Sequence, residues 1–316
     1  MTSSISEDSL SIRLRDRLAG VLGSLLPTGT RVALLGFPNH GNVGDSALWL
    51  GTRRLLADLG VDVAYSCEWR DYAEEELATA VAGGAHICLN GGGNFGDLWP
   101  GQQQLREHVL SAFSTTRTIQ LPQSLWFERP ENLDRVRRLV DAHDDLTLLV
   151  RETNSLDLAT DWFQTSVALV PDAAFGLAGE MQRSAAECDL LVVRRGDKEG
   201  LGWPDLDVGD GVETTDWLLD TGPLPSRGEG SADDHYLQLA AHRVQRGLDL
   251  LSRARMLVTD RLHVHLFAVM LGIPHVVIDN SYGKVSGTLR SWTSVSGLAL
   301  QAHAPEDVPQ LLERLG

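Results

Sequence analysis

The amino-acid sequence predicts an α/β fold made of two successive α/β units. Short runs rich in Val, Ile and Leu are apolar on both faces, as expected of buried parallel strands. Helical stretches separate these runs, which is typical of parallel sheets covered by helices. Small and polar residues replace the strand pattern at 176–187 before it resumes. We therefore predict an N-terminal domain at 1–180 and a C-terminal domain at 181–316.

The first unit opens with an amphipathic helix at 8–26, in which leucines recur at helical spacing. Strands and helices then alternate along the chain. Asp45 is placed to cap the helix that follows the first strand, and Gly60 is a natural stop for that helix. The six predicted strands of this unit are 31–37, 61–67, 86–90, 116–121, 146–150 and 166–170.

The second unit begins with a predicted strand at 189–195. A stretch rich in Gly and Asp follows at 196–234, where no clear periodicity predicts an element. Helix and strand patterns then return and complete a second α/β unit. Its remaining predicted elements are helix 235–253, strand 255–260, helix 261–271 and strand 274–279.

Composition and charge narrow the possible functions. The chain has 316 residues and a formal net charge of -16, from 43 acidic and 27 basic residues. Nucleic acid and anionic membranes are disfavoured as partners, because binding them non-specifically needs a dominant positive field. The N-terminus is too polar for a secretory signal, and no apolar run is as long as a membrane span. The three cysteines suit free thiols in a reducing compartment, so we predict a soluble, cytoplasmic protein.

Two loops share the pattern Gly-Asn-x-Gly-Asp, at 41–45 and 93–97, and each follows a predicted strand. In the first loop, glycines allow the backbone to approach a ligand, and the helix that follows offers free N–H groups. The loop lacks the Lys and Ser/Thr of a Walker A motif and is not GxGxxG. Two interpretations stay open for it: a ligand contact through Asn42, or a capped turn.

The second loop reads LNGGGNFGDLW and contains three consecutive glycines. Glycine costs conformational entropy on folding, which a simple turn would not explain. We expect the backbone of Gly92 and Gly93 to lie against a ligand, with Asn94 and Asp97 as polar contacts and Trp99 as a flat apolar face. A purely structural role for the Asn and Asp stays open, because both tolerate left-handed backbone angles.

A third candidate site begins directly after a predicted strand, where Arg261, Leu262 and His263 open an apolar helix. A fixed cation, an imidazole and a helix N-terminus meet there. This combination predicts an anion site with His263 placed for proton transfer. His263 and His265 point to different faces of a helix, which disfavours a metal pair, and we predict no metal site. We expect His265 to be packed or to support the site indirectly.

Other polar side chains follow predicted strands at their carboxyl ends, the edge where open α/β sheets usually bind ligands. Lys284 lies in a polar loop with Ser281 and Tyr282 after strand 274–279. An arginine directly after a buried strand is a better candidate for anion binding than a scattered surface arginine. The further candidates of this kind are Arg151, Asp172, Arg194, Arg195, Asp197 and Lys198.

Seven segments taken together resemble the polysaccharide pyruvyl transferase family. They occur in the family's order and span nearly the whole chain; each is weak singly, but the set is specific. The closest kinship is with bacterial exopolysaccharide enzymes. The segments are GNVGDSAL (41–48), LNGGGNFGDLW (89–99), LPQS (121–124), RETNS (151–155), PDAAF (171–175), VVRRGDKE (192–199) and TDRLHVHLFAVMLGIPHVVIDNSYGK (259–284).

The resemblance implies two Rossmann-like domains that face a cleft, as in the GT-B glycosyltransferases. It implies phosphoenolpyruvate as donor and co-substrate, with no other cofactor. The acceptor would be a sugar of an oligosaccharide or lipid-linked glycan, in exopolysaccharide or cell-wall biosynthesis. The family's donor-binding segment, which carries its catalytic His, matches Arg261, Leu262 and His263. Arg151 matches the family's donor-contacting Arg of the first domain.

The activity implied is transfer of the enolpyruvyl group to two sugar hydroxyls, which forms a pyruvate ketal and releases phosphate. Such a site needs an acid and base and cations for the donor. We assign catalytic roles to His263 and Arg261. The predicted donor contacts are Arg151, Arg261, Leu262, His263, Asn42 and Lys284. The predicted acceptor contacts are Gly92, Gly93, Asn94, Asp97 and Trp99.

Two other functions stay open on the sequence alone. A glycosyltransferase of GT-B type could use a nucleotide sugar on the same architecture. A sugar-binding or scaffold protein of a polysaccharide assembly complex would bind glycan without needing Arg261 or His263. Both a monomer and an oligomer are compatible with the sequence.

Overall fold

The computed structural model describes residues 7–197, 200–202, 204, 206, 208–209, 211–280 and 283–316. It contains two β-sheets, and neighbouring strands in both are parallel. The predicted α/β class with parallel sheets is confirmed.

The first sheet lies in the N-terminal part of the chain. Its strand order is β2-β1-β3-β5-β6-β7, and β4 lies alongside β5. The strands are β1 (Arg31–Phe37), β2 (Asp62–Glu68), β3 (Ala85–Leu89), β4 (Gly92–Gly96), β5 (Thr118–Trp126), β6 (Leu146–Val150) and β7 (Ser166–Leu169).

The second sheet has the strand order β12-β11-β10-β8-β9. Its strands are β8 (Cys188–Val193), β9 (Glu213–Thr215), β10 (Ala254–Thr259), β11 (His275–Ile278) and β12 (Ala299–Ala302). The short strand β9 lies inside the stretch 196–234, where the sequence predicted no element. It pairs with β8, so its position depends on a neighbour rather than on its own pattern.

Helices connect most of the strands. Among the described residues they are α1 (Glu7–Leu25), α2 (Val43–Asp58), α3 (Glu74–Ala82), α4 (Pro100–Ala112), α5 (Pro130–Asp141), α6 (Thr153–Trp162), α7 (Ala232–Ser252), α8 (Leu262–Leu271), α9 (Lys284–Thr288) and α10 (Asp307–Leu315). None of these helices is both long enough and apolar enough to cross a membrane.

The predicted strands are all present, although β5 continues to Trp126, beyond its predicted end. One local prediction is wrong: Asp45 does not cap α2. Asn42 is the N-cap, and its Oδ1 accepts the N–H of Gly44 at 3.1 Å. Asp45 lies in the first turn and accepts a hydrogen bond from Asn42 Nδ2 at 2.8 Å. Both residue types can cap a helix, so the turn in which the helix starts decides between them.

The glycine-rich segment predicted as a loop contains β4. Gly92 and Gly96 have φ values of 132° and 150°, which L-residues with a side chain rarely adopt. A Cβ on Gly96 would overlap the carbonyl oxygen of Trp126, and a Cβ on Gly91 would overlap that of Pro122. Part of the glycine requirement is therefore structural, because β4 must lie closely against β5.

The two sheets share one continuous apolar core. It includes Leu18 of α1, Trp49 of α2, Leu251 of α7 and Phe267 of α8, all of them fully buried. Phe37, at the end of β1, stacks on Tyr236 of α7 with ring centroids 4.3 Å apart. The predicted boundary at 176–187 falls between β7 and β8, and the division into domains 1–180 and 181–316 stays a prediction.

Candidate active site

A cavity of about 250 Å³ lies where the carboxyl ends of strands from both sheets face each other. Its walls come from the segments that follow β1, β3 and β6 of the first sheet and β8, β10 and β11 of the second. Parallel α/β sheets usually bind ligands at this edge. Of the predicted site residues, all except Gly92 and Asp97 line this cavity.

Asp97 performs a structural task at another place. Its carboxylate accepts the N–H groups of Glu128 and Arg129 at 2.9 Å and the side-chain amide of Asn132 at 3.2 Å. Burial would raise the pKa of Asp97, but these hydrogen bonds outweigh it and lower the pKa. The structure therefore does not bring Asp97 to the cavity, because the residue holds the start of α5.

Asn94 reaches the cavity with its amide orientation fixed. Its Oδ1 accepts hydrogen bonds from Arg106 Nη2 and Gln123 Nε2, both at 2.7 Å. Arg106 is buried, which lowers its pKa to about 9, and it stacks on Phe95 at 4.4 Å. Because a guanidinium only donates, the atom facing it must be the amide oxygen. Among the described residues, the NH₂ group of Asn94 has no hydrogen-bond acceptor.

Arg151 is held rigidly at the carboxyl end of β6, with 2% of its surface exposed. Nη1 donates to Asp172 Oδ2 at 2.7 Å, and Nε donates to Ser124 Oγ at 2.8 Å. The backbone carbonyl of the same residue accepts the indole N–H of Trp292 at 2.8 Å. These contacts leave the remaining Nη2 edge directed toward Gly93.

Lys284 and Arg151 converge on the backbone of Gly93 from the two different sheets. Lys284 Nζ lies 3.5 Å from the carbonyl oxygen of Gly93. A Cβ on Gly93 would overlap Lys284 Nζ and lie 3.3 Å from Arg151 Nη2. The missing side chain therefore provides the room in which two buried cations meet. The expectation that this backbone lies against a ligand stays a prediction.

His263 lies in the first turn of α8 and packs against the first turn of α2. A Cβ on Gly44 would lie 2.6 Å from the imidazole Cγ, so only glycine fits beneath the ring. His263 Nε2 lies 3.6 Å from Asp172 Oδ2, slightly beyond hydrogen-bond distance. The imidazole therefore lies between the backbone of Gly44 on one side and the carboxylate of Asp172 on the other.

Asp172 connects His263 with Arg151. Besides its contact with Arg151, its Oδ1 accepts the N–H of Ala174 at 2.8 Å. Burial would raise the pKa of this carboxyl, but the charges of His263 and Arg151 outweigh burial and hold the pKa well below its usual range. Asp172 is therefore a buried anion that lies beside both Arg151 and His263.

Sequence comparison supports the expected family. Residues 42–282 match the family described as polysaccharide pyruvyl transferase. This range includes the cavity residues from Asn42 to His263. The chain belongs to the polysaccharide pyruvyl transferase family.

Relatives of the chain are found in yeast and bacteria. Pyruvyl transferase 1 of Schizosaccharomyces pombe is 34% identical over 282 residues, which are 83% of this chain and 69% of the relative. General stress protein 30 of Bacillus subtilis is 28% identical over 285 residues, which are 85% and 80% of the two chains. The predicted transferase class follows from the family, which does not favour a nucleotide-sugar glycosyltransferase.

The fold is shared with a solved structure of a Klebsiella pneumoniae protein of uncharacterized function. The two have a TM-score of 0.63 and 18% identity, over 92% of this chain and 99% of that one. At this identity the likeness shows the fold alone.

Arg261 lies in the cavity wall but is already paired. Its guanidinium makes a two-pronged ion pair with Asp216, with Nη2 and Oδ2 2.6 Å apart. Asp197 Oδ2 lies 3.6 Å from the same Nη2. Asp216 comes from the stretch without periodicity, so no sequence pattern indicated this partner. The catalytic role of Arg261 stays a prediction, and its observed contacts are those of an ion pair.

Three further predictions have different outcomes. Both polar atoms of the Asn42 side chain serve the start of α2, so its donor contact stays a prediction supported by position alone. His265 is packed, as expected, with His275 at 2.7 Å and Thr293 at 2.8 Å. The candidates Lys198, Ser281 and Tyr282 lie outside the described residues.

Asp172 was a candidate only by its position after a predicted strand, and it was not among the predicted catalytic, donor or acceptor residues. Its place after a predicted strand was the available signal, but one carboxylate at a strand end is a weak one. The decisive observation is its contact with Arg151 and His263, which lie far from it in sequence.

Proposed function

We propose that this pyruvyl transferase uses phosphoenolpyruvate as donor and forms a pyruvate ketal on two hydroxyls of a glycan sugar. The observation that carries the proposal is the meeting of Arg151 and Lys284 at Gly93, in the cavity that also holds His263. The acceptor would be an oligosaccharide or lipid-linked glycan, with a role in exopolysaccharide or cell-wall biosynthesis.

The donor chemistry matches the two cations. Phosphoenolpyruvate carries a carboxylate and a phosphate and offers only hydrogen-bond acceptors to a protein. A guanidinium binds such groups through two parallel N–H donors, and an ammonium acts as a compact point charge. Arg151 and Lys284 are both buried, so water screens their charges weakly. They would hold the donor against the chain's overall negative charge.

His263 would serve as the general acid. Protonation of the donor's C3 requires a group that gives up a proton near neutral pH, and imidazole is the side chain best suited to this. Asp172 would stabilise the imidazolium that donates the proton and would keep the ring in place. Leu262, which lines the cavity beside His263, would help to exclude water from the donor.

The reaction balances without a further cofactor. One sugar hydroxyl gives up its proton and attacks C2 while His263 gives a proton to C3, so that a C–O bond forms, the CH₂ group becomes CH₃, and the proton lost by the hydroxyl replaces the one that His263 gives. The second hydroxyl then attacks C2, and the C2–O bond to phosphate breaks. The proton of the second hydroxyl leaves with the phosphate, which departs as hydrogen phosphate. The product carries a ketal ring that contains C2 of the donor and the two sugar oxygens.

The acceptor would lie next to the donor along β4 and α4. Asn94 presents its NH₂ group to a sugar oxygen, because its carbonyl oxygen is already used. Trp99 lines the same cavity and offers an aromatic face. The arrangement of two parallel sheets around a shared cavity would correspond to the GT-B architecture, with domains at 1–180 and 181–316.

The test incubates the purified protein with phosphoenolpyruvate and a panel of glycans. Phosphate release and the mass increase of the acceptor are followed together. We expect ketal formation with at least one acceptor, and loss of turnover in His263→Ala. His303→Ala, which changes an exposed histidine, is the matched control and should keep full activity. Absence of ketal across a broad panel, or full activity of His263→Ala, would contradict the proposal.

A further inference from the structure

The cavity contains hydrogen-bond acceptors for which the donor substrate has no use. Phosphoenolpyruvate offers only acceptor oxygens, so a carboxylate in the wall would repel it. The sugar, in contrast, must bring two hydroxyl groups, and each has a proton to donate and then to lose. The unpaired acceptor oxygens of the wall therefore indicate where the sugar binds.

The carboxylates near the cavity differ in their partners. Asp172 is paired with Arg151, Asp197 makes a two-pronged pair with Arg195, and Asp216 pairs with Arg261. Asp45 also lines the cavity. Within the part of the chain that the structure describes, it has no arginine or lysine partner.

The geometry of Asp45 leaves one oxygen for a ligand. Oδ2 accepts the hydrogen bond from Asn42 Nδ2 at 2.8 Å, and His40 Nε2 lies 3.7 Å from the same oxygen. Oδ1 is 3.9 Å from the position of a Cβ on Gly92 and accepts no hydrogen bond from any described residue. Asp45 directly follows Gly44, on which His263 packs. The carboxylate and the imidazole thus border the same cavity.

A second unused acceptor lies at the end of β3. Asn90 is 93% buried and lines the cavity, and its Oδ1 has no hydrogen-bond partner among the described residues. Its Nδ2 faces the carbonyl oxygen of Gly36 at 3.4 Å, which leaves the amide oxygen on the other side. An unsatisfied buried polar atom costs free energy unless a ligand or water satisfies it.

We propose that Asp45 binds one hydroxyl of the acceptor sugar and takes its proton as that hydroxyl attacks C2, while Asn90 Oδ1 accepts a hydrogen bond from the second hydroxyl. This inference rests on the proposed function and adds the base and the place of the acceptor to it. The hydroxyl O–H bond breaks, its electron pair forms the new bond to C2, and His263 supplies the proton that C3 gains. When phosphate leaves, it takes the proton of the second hydroxyl.

A structural alternative exists for Asp45. A carboxylate in the first turn of a helix interacts favourably with the helix dipole, and Asp45 holds that position in α2. This role predicts a small loss of stability on substitution and no specific loss of turnover. Asp307 occupies the first turn of α10 and provides a matched control, because Asp307→Asn changes the same kind of position outside the cavity.

The test compares Asp45→Asn with the wild type and with Asp307→Asn in the ketal assay. Asparagine keeps an acceptor for Asn42 but lacks the basicity of a carboxylate. We expect kcat to fall by about 10²- to 10⁴-fold, as is typical for loss of a general base. The KM for phosphoenolpyruvate should stay within about twofold, because the residue contacts the acceptor. Asn90→Ala should raise the KM for the acceptor and leave that for the donor unchanged.

Asp45→Ala provides a second test if Asp45→Asn is unstable. Asp45→Ala leaves a space where added formate can replace the carboxylate, and formate should restore part of the turnover. A purely structural role would not respond in this way. Wild-type kcat in Asp45→Asn, a parallel loss of donor binding, or absence of formate rescue would each overturn the inference. If the wild type itself makes no ketal, the proposed function fails. If the wild type makes ketal but the Asp45 variants do not behave as expected, only the inference about Asp45 fails.

Discussion

Replacing Gly93 by alanine should weaken donor binding and leave the fold intact. The added methyl group would overlap Lys284 Nζ and lie 3.2 Å from Lys284 Cε and 3.3 Å from Arg151 Nη2. Gly93 does not have a positive φ, so its backbone accepts alanine. The overlapping atom is the end of a flexible side chain, which can move at little cost. The ammonium is therefore displaced, while the strands and the core stay in place.

The size of the effect follows from the interaction that the lysine would lose. A hydrogen bond to a charged group contributes about 1.5–3 kcal/mol. One factor of ten in an equilibrium constant corresponds to about 1.4 kcal/mol, so the KM for phosphoenolpyruvate should rise roughly 10- to 100-fold. The free energy of unfolding should change by less than about 1 kcal/mol, because alanine also reduces the entropy of the unfolded chain.

The assay pairs steady-state kinetics with urea unfolding, and Gly20→Ala is the matched control. Gly20 lies inside α1 with no other group within 4 Å of a Cβ at that position. Its replacement should stabilise the helix by up to about 1 kcal/mol and leave the KM unchanged. An unchanged KM in Gly93→Ala would show that Lys284 and Arg151 do not bind the donor together at Gly93.

Three further predictions concern the buried charges and the cap. Asp172→Asn should lower kcat by about 100-fold or more, because His263 loses the charge that stabilises its protonated form; kcat near the wild-type value, with an intact circular dichroism spectrum, would refute this role. Burial lowers the pKa of His275 from its ordinary 6.5 to about 4 and that of His265 well below its usual value. The folded protein therefore binds fewer protons than the unfolded chain as the pH falls. The contribution of these neutral histidines to the free energy of unfolding is fully present above pH 6.5 and is lost as the pH falls toward 4. For His275 the loss is about 3 kcal/mol. Urea unfolding between pH 4 and 7 should show this slope, and His275→Gln should reduce it. Asp97→Ala should cost about 1 kcal/mol of stability through the lost contacts at α5 and leave the acceptor KM unchanged; a raised acceptor KM would restore its predicted role in binding.

The sequence predicted the strands well because their pattern has a local cause. A strand buried on both faces must be apolar throughout, and β1, β6 and β10 show this directly in their residues. The ends of these strands then indicated where Arg151, His263 and Lys284 would lie, since parallel strands end at one edge of a sheet. The positions of nine strands, and the edge of the sheet at which their carboxyl ends meet, could therefore be predicted without the tertiary structure.

Local sequence could not decide features that depend on a neighbour. The glycines in and directly before β4 suggested a ligand contact, but those at 91 and 96 are required by the close approach to β5. Asp45 was predicted to cap α2, and only the position of the first turn showed that Asn42 is the cap. Arg261 appeared unpaired in the sequence because its partner, Asp216, lies in a stretch without any repeating pattern.

The sequence by itself determined the fold class, the family and the cationic residues of the site. The fold class follows from apolar patterning, and the family and the cationic residues follow from short motifs that occur in order along the chain. Only the tertiary structure decided which charges are paired. Asp172 joins Arg151 to His263 across two sheets, Gly93 makes room for Lys284, and Asp45 keeps an oxygen that accepts no hydrogen bond from a described residue. Pairing depends on distances of a few ångströms between residues far apart in sequence, and folding alone brings them together.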